Sequence, residues 1–265
     1  MPQARVGVIG GSGFYSFLAG SQQVELTTPY GPPSSPVVLG ELAGRAVAFL
    51  ARHGTDHRFP PHRVPYRANL WALRSFEVEQ ILAPCAVGSL RRDYPPGSVV
   101  VPDQLVDRTS GRTQTFYDTG AVHVEFADPY CPHGRRAVLD VAAGREQAAR
   151  DGGTMVVIEG PRFSSRAESR WFTAQGWSLV NMTGHPEAVL ARELAMCYTA
   201  VALVTDYDAG VERADAAVNQ AEVFRVFGQN ITRLQALLRD VVPALPVERT
   251  CRCAAALDGL QAALP

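Results

Sequence analysis

A buried strand, preceded by a helix and followed by two acids, constrains the fold more than any other feature of the sequence. Residues 198–204 form a continuous apolar run that predicts a strand covered on both faces. Pro186 and Glu187 begin a helical apolar pattern before it, and Asp206 and Asp208 follow it. Ligands of α/β sheets bind at the carboxyl ends of parallel strands, and alternate strand residues share a side. The two acids are therefore predicted to face one pocket.

Other sequence patterns predict further strands and helices, so the chain as a whole is predicted to be an α/β protein. Residues 165–168 match a capping box, with Ser165 before the helix and Glu168 in its first turn. The segment 85–90 is predicted as a strand-to-glycine turn, and 102–132 as a long polar, functional loop. Strands are predicted over 6–9, 37–40, 45–50, 80–84, 98–101 and 153–158, and helices over 66–76, 138–149 and from Asn219 onwards.

Size, charge and composition limit the classes of function. A chain of 265 residues fits one α/β domain, and no linker or repeat divides it. Its formal net charge of -1 argues against nucleic-acid binding, so small molecules or further copies of the chain are the expected partners. No signal-peptide pattern or membrane-length apolar run occurs, so no membrane association and a cytoplasmic location are expected.

Two segments carry donors suited to an anion. Gly10-Gly11-Ser12-Gly13 follows the first strand, and a turn of this kind exposes backbone N–H groups. Its glycine spacing does not match a dinucleotide fingerprint, which argues against a nicotinamide-dependent oxidoreductase. Arg52 and His53 follow another strand, and cationic donors there suit phosphate better than a metal.

The five cysteines do not predict a disulfide scaffold. Cys85, Cys131 and Cys197 lie in contexts where buried thiols are ordinary. Cys251 and Cys253 form a Cys-x-Cys that suits a redox or metal pair, but no second Cys/His pair lies beside it in the sequence. No metal is therefore predicted.

Seven separated motifs, in order and over almost the whole chain, resemble the trimeric purine nucleoside phosphorylase family. They are Gly10 to Gly13, Ala51 to Gly54, Tyr66 to Leu73, Asp103 to Thr109, Glu159 to Glu168, Asn181 to Thr183 and Thr205 to Asp208. The resemblance implies a single domain over residues 1–265 with a mixed β-sheet flanked by helices. It implies phosphorolysis of S-methyl-5'-thioadenosine to adenine and 5-methylthioribose 1-phosphate by a homotrimer. Inorganic phosphate would be a co-substrate, with no metal or organic cofactor.

The resemblance also assigns roles by position. Those at the phosphate are Ser12, Arg52, His53, Cys85, Ala86 and Thr183. Those at the nucleoside are Met182 under the ribose, Phe163 and Ser164 beside the base, Tyr207, Gln220 near the 5' pocket, and His123 supplied by a neighbouring subunit.

The acids suit a 6-aminopurine on chemical grounds. Adenine offers a donor at its 6-amino group and an acceptor at N7, so ionised Asp208 can accept and protonated Asp206 can donate. Family members that use 6-oxopurines carry glutamate at the Ser164 position and asparagine at the Asp206 position, so the present residues favour adenine.

Some points stay open at this level. Pro65 replaces a frequent asparagine, and the polar Gln220 leaves the preferred 5' substituent undecided. The Cys-x-Cys resembles a terminal pair that can form a disulfide in some heat-stable archaeal members. Other 5'-modified adenosines or 6-oxopurine nucleosides are alternative substrates, and a nucleoside hydrolase or a noncatalytic nucleoside-binding protein are alternative functions.

Overall fold

The computed structural model describes residues 3–11, 14, 18, 21–120, 122–146 and 148–260, and they are built around one mixed sheet. The strands are β1 Val6–Gly10, β2 Gln22–Val24, β3 Val37–Leu42, β4 Arg45–Ala51, β5 Gln80–Ser89, β6 Val99–Val101, β7 Gln104–Arg108, β8 Arg150–Asp151, β9 Thr154–Ile158, β10 Leu179–Asn181 and β11 Cys197–Tyr207. The helices are α1 Tyr66–Ser75, α2 Pro132–Ala143, α3 Arg166–Ala174, α4 Gly184–Glu193 and α5 Gln220–Ala244, with 3₁₀ turns at Pro61–Arg63 and Arg252–Ala255.

Strand β5 is the centre of the sheet, because three strands pair with it. β11 runs parallel to it along its whole length. On its other edge, β1 pairs in parallel as far as Leu82, and β10 pairs antiparallel only from Gly88. Between these two residues, this edge of β5 pairs with no strand in the part of the chain that the structure describes, and this unpaired stretch forms the floor of the cavity.

Alternating side chains of the central strands divide the apolar interior between the two faces of the sheet. On β5, Ile81 and Ala83 pack in the core that contains residues of α1 and α4, whereas Leu82 packs in the core that contains residues of α2 and α5. On β11, Ala202 and Leu203 divide in the same way. This period-two alternation on strands buried on both faces explains their continuous apolar runs.

Most of the predicted elements are confirmed. The predicted strand 198–204 is present, and the structure extends it to Tyr207, so that Asp206 lies within it. The capping box has both of its hydrogen bonds, between Ser165 and Glu168. The turn between β3 and β4 lies at Ala43 and Gly44, with φ values of 49° and 78°.

Three predictions of local structure were wrong. The predicted turn at 85–90 is the second half of β5, whose glycine at position 88 stays extended beside β11. The helix predicted over 138–149 is Pro132–Ala143, because Pro132 supports a first helical turn and Gly144 ends the helix. The loop 102–132 contains β7, which pairs with β9 at the sheet edge.

Within the described ranges, no helix combines the length and the apolar character that a membrane span requires.

Candidate active site

The cavity lies over the unpaired stretch of β5. Its floor is formed by Pro84, Cys85, Ala86, Val87 and Gly88. Side chains from neighbouring elements satisfy two carbonyls of this strand: Arg52 donates to Pro84 O at 3.1 Å, and Asn181 donates to Ala86 O at 3.1 Å. The missing strand partner is thus replaced by polar side chains at the wall of a cavity.

Arg52 lies at one end of the cavity and is only 2% exposed. Its Nε and Nη2 donate to the two carboxylate oxygens of Glu187 at 2.5 and 3.0 Å, and Nη2 also donates to Ile9 O at 3.0 Å. With the Nη1 bond to Pro84, four of the five N–H groups have partners in the described part of the chain. The guanidinium is therefore fixed in orientation with one Nη1 hydrogen left for a ligand.

Glu187 holds this guanidinium and was not predicted as a site residue. Its side chain has no exposed surface, and Tyr198 donates its hydroxyl to Oε2 at 2.8 Å. Hydrogen bonds from both partners stabilise the buried carboxylate. The available signal was an acid in an otherwise apolar helix, but a first-turn acid is also an ordinary helix-start feature, so the sequence did not separate the two interpretations.

His53 lies beside Arg52 as a neutral imidazole. Burial, aided by the charge of Arg52, lowers the pKa of His53 to about 4. Its Nδ1 is 2.8 Å from Phe59 O, and because a carbonyl only accepts, Nδ1 carries the hydrogen. Nε2 is then a hydrogen-bond acceptor, which suits a hydroxyl of a protonated phosphate. The ring stacks on His57 at 4.6 Å between centroids.

Thr183 occupies the N-cap of α4 at the same end of the cavity and makes no side-chain capping bond. Asn181 Oδ1 instead accepts from the backbone N–H groups of Thr183 and Gly184, at 2.8 and 2.6 Å. Since those two N–H groups are satisfied, the hydroxyl of Thr183 is the group that this helix start offers to a ligand.

Asp206 lies in the cavity lining and owes its position to a β-bulge. The pairing of β11 with β5 skips Thr205, so Asp206 lies opposite Gly88. Thr205 donates its hydroxyl to Asp206 Oδ1 at 2.7 Å. Burial, reinforced by the charge of Asp208, raises the pKa of Asp206 to about 6. At a given pH, a larger fraction of Asp206 is therefore protonated in the folded protein than it would be in water.

Asp208 follows on the same side and is 3% exposed. Burial raises its pKa as well. The hydroxyls of Ser164 and Ser169 lie close enough to Asp208 to oppose this rise in part, but its Oδ2 and the Oγ of Ser164 make no hydrogen bond of ordinary geometry among the described residues, and both side chains line the cavity. Unsatisfied buried polar atoms of this kind are costly in the absence of a partner and fit a polar ligand.

The remaining walls are largely apolar. They come from the segment after β9, the end of β10 and the amino-terminal part of α5, and include Phe163, Met182, Val223, Phe224 and Phe227. The sequence did not predict the three residues of α5, since their helical spacing is equally typical of core. An apolar slot with polar groups at its two ends is suited to a flat, partly polar small molecule.

The structure brings ten of the predicted site residues to this one cavity: Arg52, His53, Cys85, Ala86, Phe163, Ser164, Met182, Thr183, Asp206 and Asp208. Three others do not line it. Tyr207 donates its hydroxyl to Arg92 O, Gln220 is exposed at the start of α5, and His123 is exposed on the loop before α2. Ser12 lies outside the described residues.

The fold is a mixed-sheet α/β fold. Its cavity has a fixed guanidinium at one end and two carboxyl groups of raised pKa elsewhere in its lining. These features define a class of small-molecule-binding proteins that can combine an anion with a proton donor. A family model described as the phosphorylase superfamily matches residues 5–243, and the chain belongs to this superfamily.

Named relatives cover nearly the whole chain. A purine nucleoside phosphorylase of Streptomyces coelicolor is 58% identical, with 97% of this chain and 96% of the relative aligned. An S-methyl-5'-thioadenosine phosphorylase of Mycolicibacterium smegmatis is also 58% identical, with 97% of both chains aligned.

Solved structures agree in fold. A methylthioadenosine phosphorylase from an antarctic soil metagenomic library has a TM-score of 0.90 at 39% identity, with 97% of this chain and 92% of that chain covered. The enzyme of Schistosoma mansoni in complex with adenine has a TM-score of 0.87 at 34% identity, with 93% of each chain covered. The family resemblance and the mixed-sheet fold class expected from the sequence are confirmed.

Proposed function

We propose that this chain catalyses the phosphorolysis of S-methyl-5'-thioadenosine to adenine and 5-methylthioribose 1-phosphate. The observation that carries this proposal is the arrangement of one cavity. The fixed guanidinium of Arg52 and the acid of raised pKa at Asp206 line the same apolar slot. A nucleoside placed between them presents its ribosyl carbon to a bound phosphate and its base to the acid.

Phosphate binds at the Arg52 end as the nucleophile. The free Nη1 hydrogen of Arg52 and the hydroxyl of Thr183 donate to its oxygens, while Nε2 of His53 accepts a hydrogen bond from a phosphate hydroxyl. Because Glu187 already balances the charge of Arg52, the site holds phosphate by directed hydrogen bonds more than by net charge.

The base is held by the acids. Ionised Asp208 accepts a hydrogen from the 6-amino group, and protonated Asp206 donates to N7 as the glycosidic bond breaks. The bonding electron pair leaves with the base, the proton on N7 neutralises it, and a phosphate oxygen forms the new bond to the ribosyl carbon. The hydroxyl of Thr205, bonded to Oδ1, stabilises the aspartate left behind.

The α5 wall supports a methylthio group at the 5' carbon. Val223, Phe224 and Phe227 offer an apolar surface and no hydrogen-bonding side chain to a 5' hydroxyl. Gln220, the polar residue expected near this pocket, is exposed instead. The burial of an apolar substituent against this wall is favourable, whereas a hydroxyl there loses its hydration.

Purine nucleosides with a 6-oxo group are the second candidate substrates. One of the two relatives at 58% identity bears the name purine nucleoside phosphorylase, so this class belongs in any test. A 6-oxopurine presents an acceptor at O6. Asp208 would have to be protonated, as well as Asp206, to donate to it, so the two carboxyl groups suit this base poorly.

The assembly and its requirements belong to the same proposal. We infer a single-domain protein that acts as a homotrimer in which the exposed His123 reaches a neighbouring cavity, as the sequence resemblance implies. The reaction uses phosphate as a co-substrate and no metal or organic cofactor. A cytoplasmic location remains a prediction from the sequence.

One assay tests the proposal. Base release should be followed with and without phosphate for adenosines that carry methylthio, hydrogen, hydroxyl or halogen at the 5' carbon, and for inosine. We expect phosphate-dependent release of adenine, fastest from the methylthio compound. Asp206→Asn should lose about 10²-fold to 10⁴-fold in kcat/KM on adenine nucleosides and gain on inosine relative to them. Asp140→Asn, an exposed change on α2, is the control. Unchanged base selectivity in Asp206→Asn would assign that acid a structural role only.

A further inference from the structure

Four cysteines, absent from the proposed reaction, meet in a buried cluster, and none of the four lines the cavity. Cys131 caps α2, Cys197 begins β11, and Cys251 and Cys253 lie in the carboxyl-terminal segment. Asp206 is nine residues further along the same strand from Cys197, or about 30 Å at strand rise. This cysteine cluster is thus separate from the proposed phosphate and nucleoside site.

The four sulfur atoms form a compact set. All Sγ atoms lie within 4.8 Å of one another, and those of Cys197 and Cys251 are 3.3 Å apart. A tetrahedral zinc ion with Zn–S bonds of about 2.3 Å has sulfur–sulfur edges of about 3.8 Å, which falls between these limits. Small side-chain adjustments are therefore enough for one ion at the centre.

The surroundings suit negatively charged sulfur. All four thiols are free, and none is more than 8% exposed. Arg192 Nη2 lies 3.8 Å from Cys253 Sγ and donates to Asp128 O at 2.6 Å, while Nη1 of the same guanidinium donates to Glu125 O at 2.8 Å. The N-terminus of α2 adds its positive dipole end at Cys131. These groups partly balance the double negative charge of a zinc–tetrathiolate centre.

A metal there would have a mechanical purpose. After α5 the chain continues to the short 3₁₀ turn Arg252–Ala255, whose backbone hydrogen bonds are local, and the side chains of Arg249 and Arg252 donate to Ala195 O and Glu125 Oε1. The Cys-x-Cys of this turn meets two cysteines that are distant in sequence, at the amino-terminal edge of β11 and the start of α2. One ion would join the two cysteines of the carboxyl-terminal segment to one cysteine at the start of β11 and one at the N-cap of α2.

We propose that Cys131, Cys197, Cys251 and Cys253 form a closed structural site for a divalent metal that prefers thiolates, with zinc as the expected ion. Binding replaces four thiol protons by one ion, and four protein ligands leave no open position for catalysis. The sequence argued against a metal because no second Cys/His pair lies beside the Cys-x-Cys. The fold supplies that pair as Cys197 and Cys131, which lie 54 and 120 residues before Cys251.

Metal content of the whole chain tests this directly. Protein expressed with added zinc and purified under reducing conditions should contain one zinc per chain by elemental mass spectrometry, released when a mercurial blocks the thiols. Cys251→Ser and Cys253→Ser should lose most of that zinc. Cys85→Ser, which changes the fifth buried cysteine outside the cluster, should keep it.

A cobalt-binding experiment on the unmutated chain gives a result that does not depend on whether the cysteine variants fold. Unmutated chain refolded anaerobically with Co²⁺ should show the visible absorption of tetrahedral cobalt–thiolate, and added Zn²⁺ should abolish it. Metal removal should lower the thermal midpoint and expose the segment after Pro246 to protease.

Two results would overturn the proposal. One is a metal-free protein after zinc refolding, with all thiols titratable. The other is an intact mass, measured without reductant, that is lighter by two hydrogens per disulfide, which would assign the cluster to oxidised pairs formed by an external oxidant. Neither result bears on phosphate-dependent adenine release, so the two proposals fail separately.

Discussion

Arg52 and Glu187 form a buried bidentate ion pair at one end of the cavity, with N–O distances of 2.5 and 3.0 Å. The guanidinium is 2% exposed and the carboxylate not at all. The pair joins the residue after β4 to the first turn of α4, so this one contact links two elements and also orients the remaining Nη1 donor of Arg52.

Replacement of Glu187 by glutamine should strongly destabilise the folded protein. Glu187→Gln keeps the shape but leaves the charge of Arg52 uncompensated, and breaking a buried pair in this way costs about 3–5 kcal/mol. Urea unfolding measures the loss, and the KM for phosphate should rise in parallel. Tyr198→Phe, which removes one hydrogen bond to the same carboxylate, is the milder control at about 1 kcal/mol. Wild-type stability in Glu187→Gln would show that the pair contributes nothing.

Gly88 leaves the room that the acids need. A Cβ at this position would lie 3.1 Å from Asp206 Oδ2 and 3.6 Å from Asp208 Cβ. Gly88→Ala should therefore displace the carboxyl group of Asp206 by a few tenths of an ångström, with Asp208 left in ordinary van der Waals contact, and lower kcat while the protein stays folded. Steady-state kinetics and circular dichroism measure the two effects. Gly228→Ala, on the exposed side of α5 with nothing within 4 Å, should leave kcat unchanged and add up to about 1 kcal/mol of stability. Equal kinetics in both variants would contradict this account of Gly88.

The raised pKa of Asp206 predicts a pH-dependent stability. The folded chain holds this proton up to about pH 6, whereas the unfolded chain releases it near the ordinary value of 3.8. Between these values the folded state binds more protons, so this group makes stability fall as pH rises. Asp206→Asn lacks the effect and should be more stable than wild type above pH 7, by up to about 3 kcal/mol, with the difference fading towards pH 4. Denaturant unfolding across this range measures it, and a pH-independent difference would contradict it.

The α5 wall should set the preference at the 5' carbon. Val223→Ser places a hydroxyl on the cavity surface and should reduce the preference for methylthio over hydroxyl by about tenfold in kcat/KM. Gln220→Ala, one helical turn earlier and exposed, should leave that preference unchanged. Competition between methylthioadenosine and adenosine gives the ratio directly. A larger effect from Gln220→Ala would place the 5' pocket nearer the start of α5.

Local patterns predicted the elements that need only their own residues. The apolar run before Asp206, the capping box at Ser165 and the turn at Ala43 each follow from neighbouring side chains and backbone preferences, and each is present. The turn expected after Cys85 failed because pairing with β11 keeps Gly88 extended, and that pairing involves residues more than a hundred positions away.

The residues of the candidate site differ in the same way in whether the sequence could predict them. Arg52 and Asp206 were found because each follows a strand that ends at the ligand edge. Glu187, Val223 and Phe227 were not, because a first-turn acid and apolar helix residues look the same whether they serve a site or a core. The cysteine cluster is the clearest case, since only the fold shows that its two halves meet.

The products made from methylthioadenosine test the central claim most directly. Adenine and phosphorylated sugar should be counted together in one reaction, by absorbance and by phosphorus NMR, with and without inorganic phosphate. We predict that adenine appears only with phosphate and that 5-methylthioribose 1-phosphate forms in equal amount. Adenine released at the same rate without phosphate, together with free methylthioribose, would show that water is the nucleophile and would contradict the account.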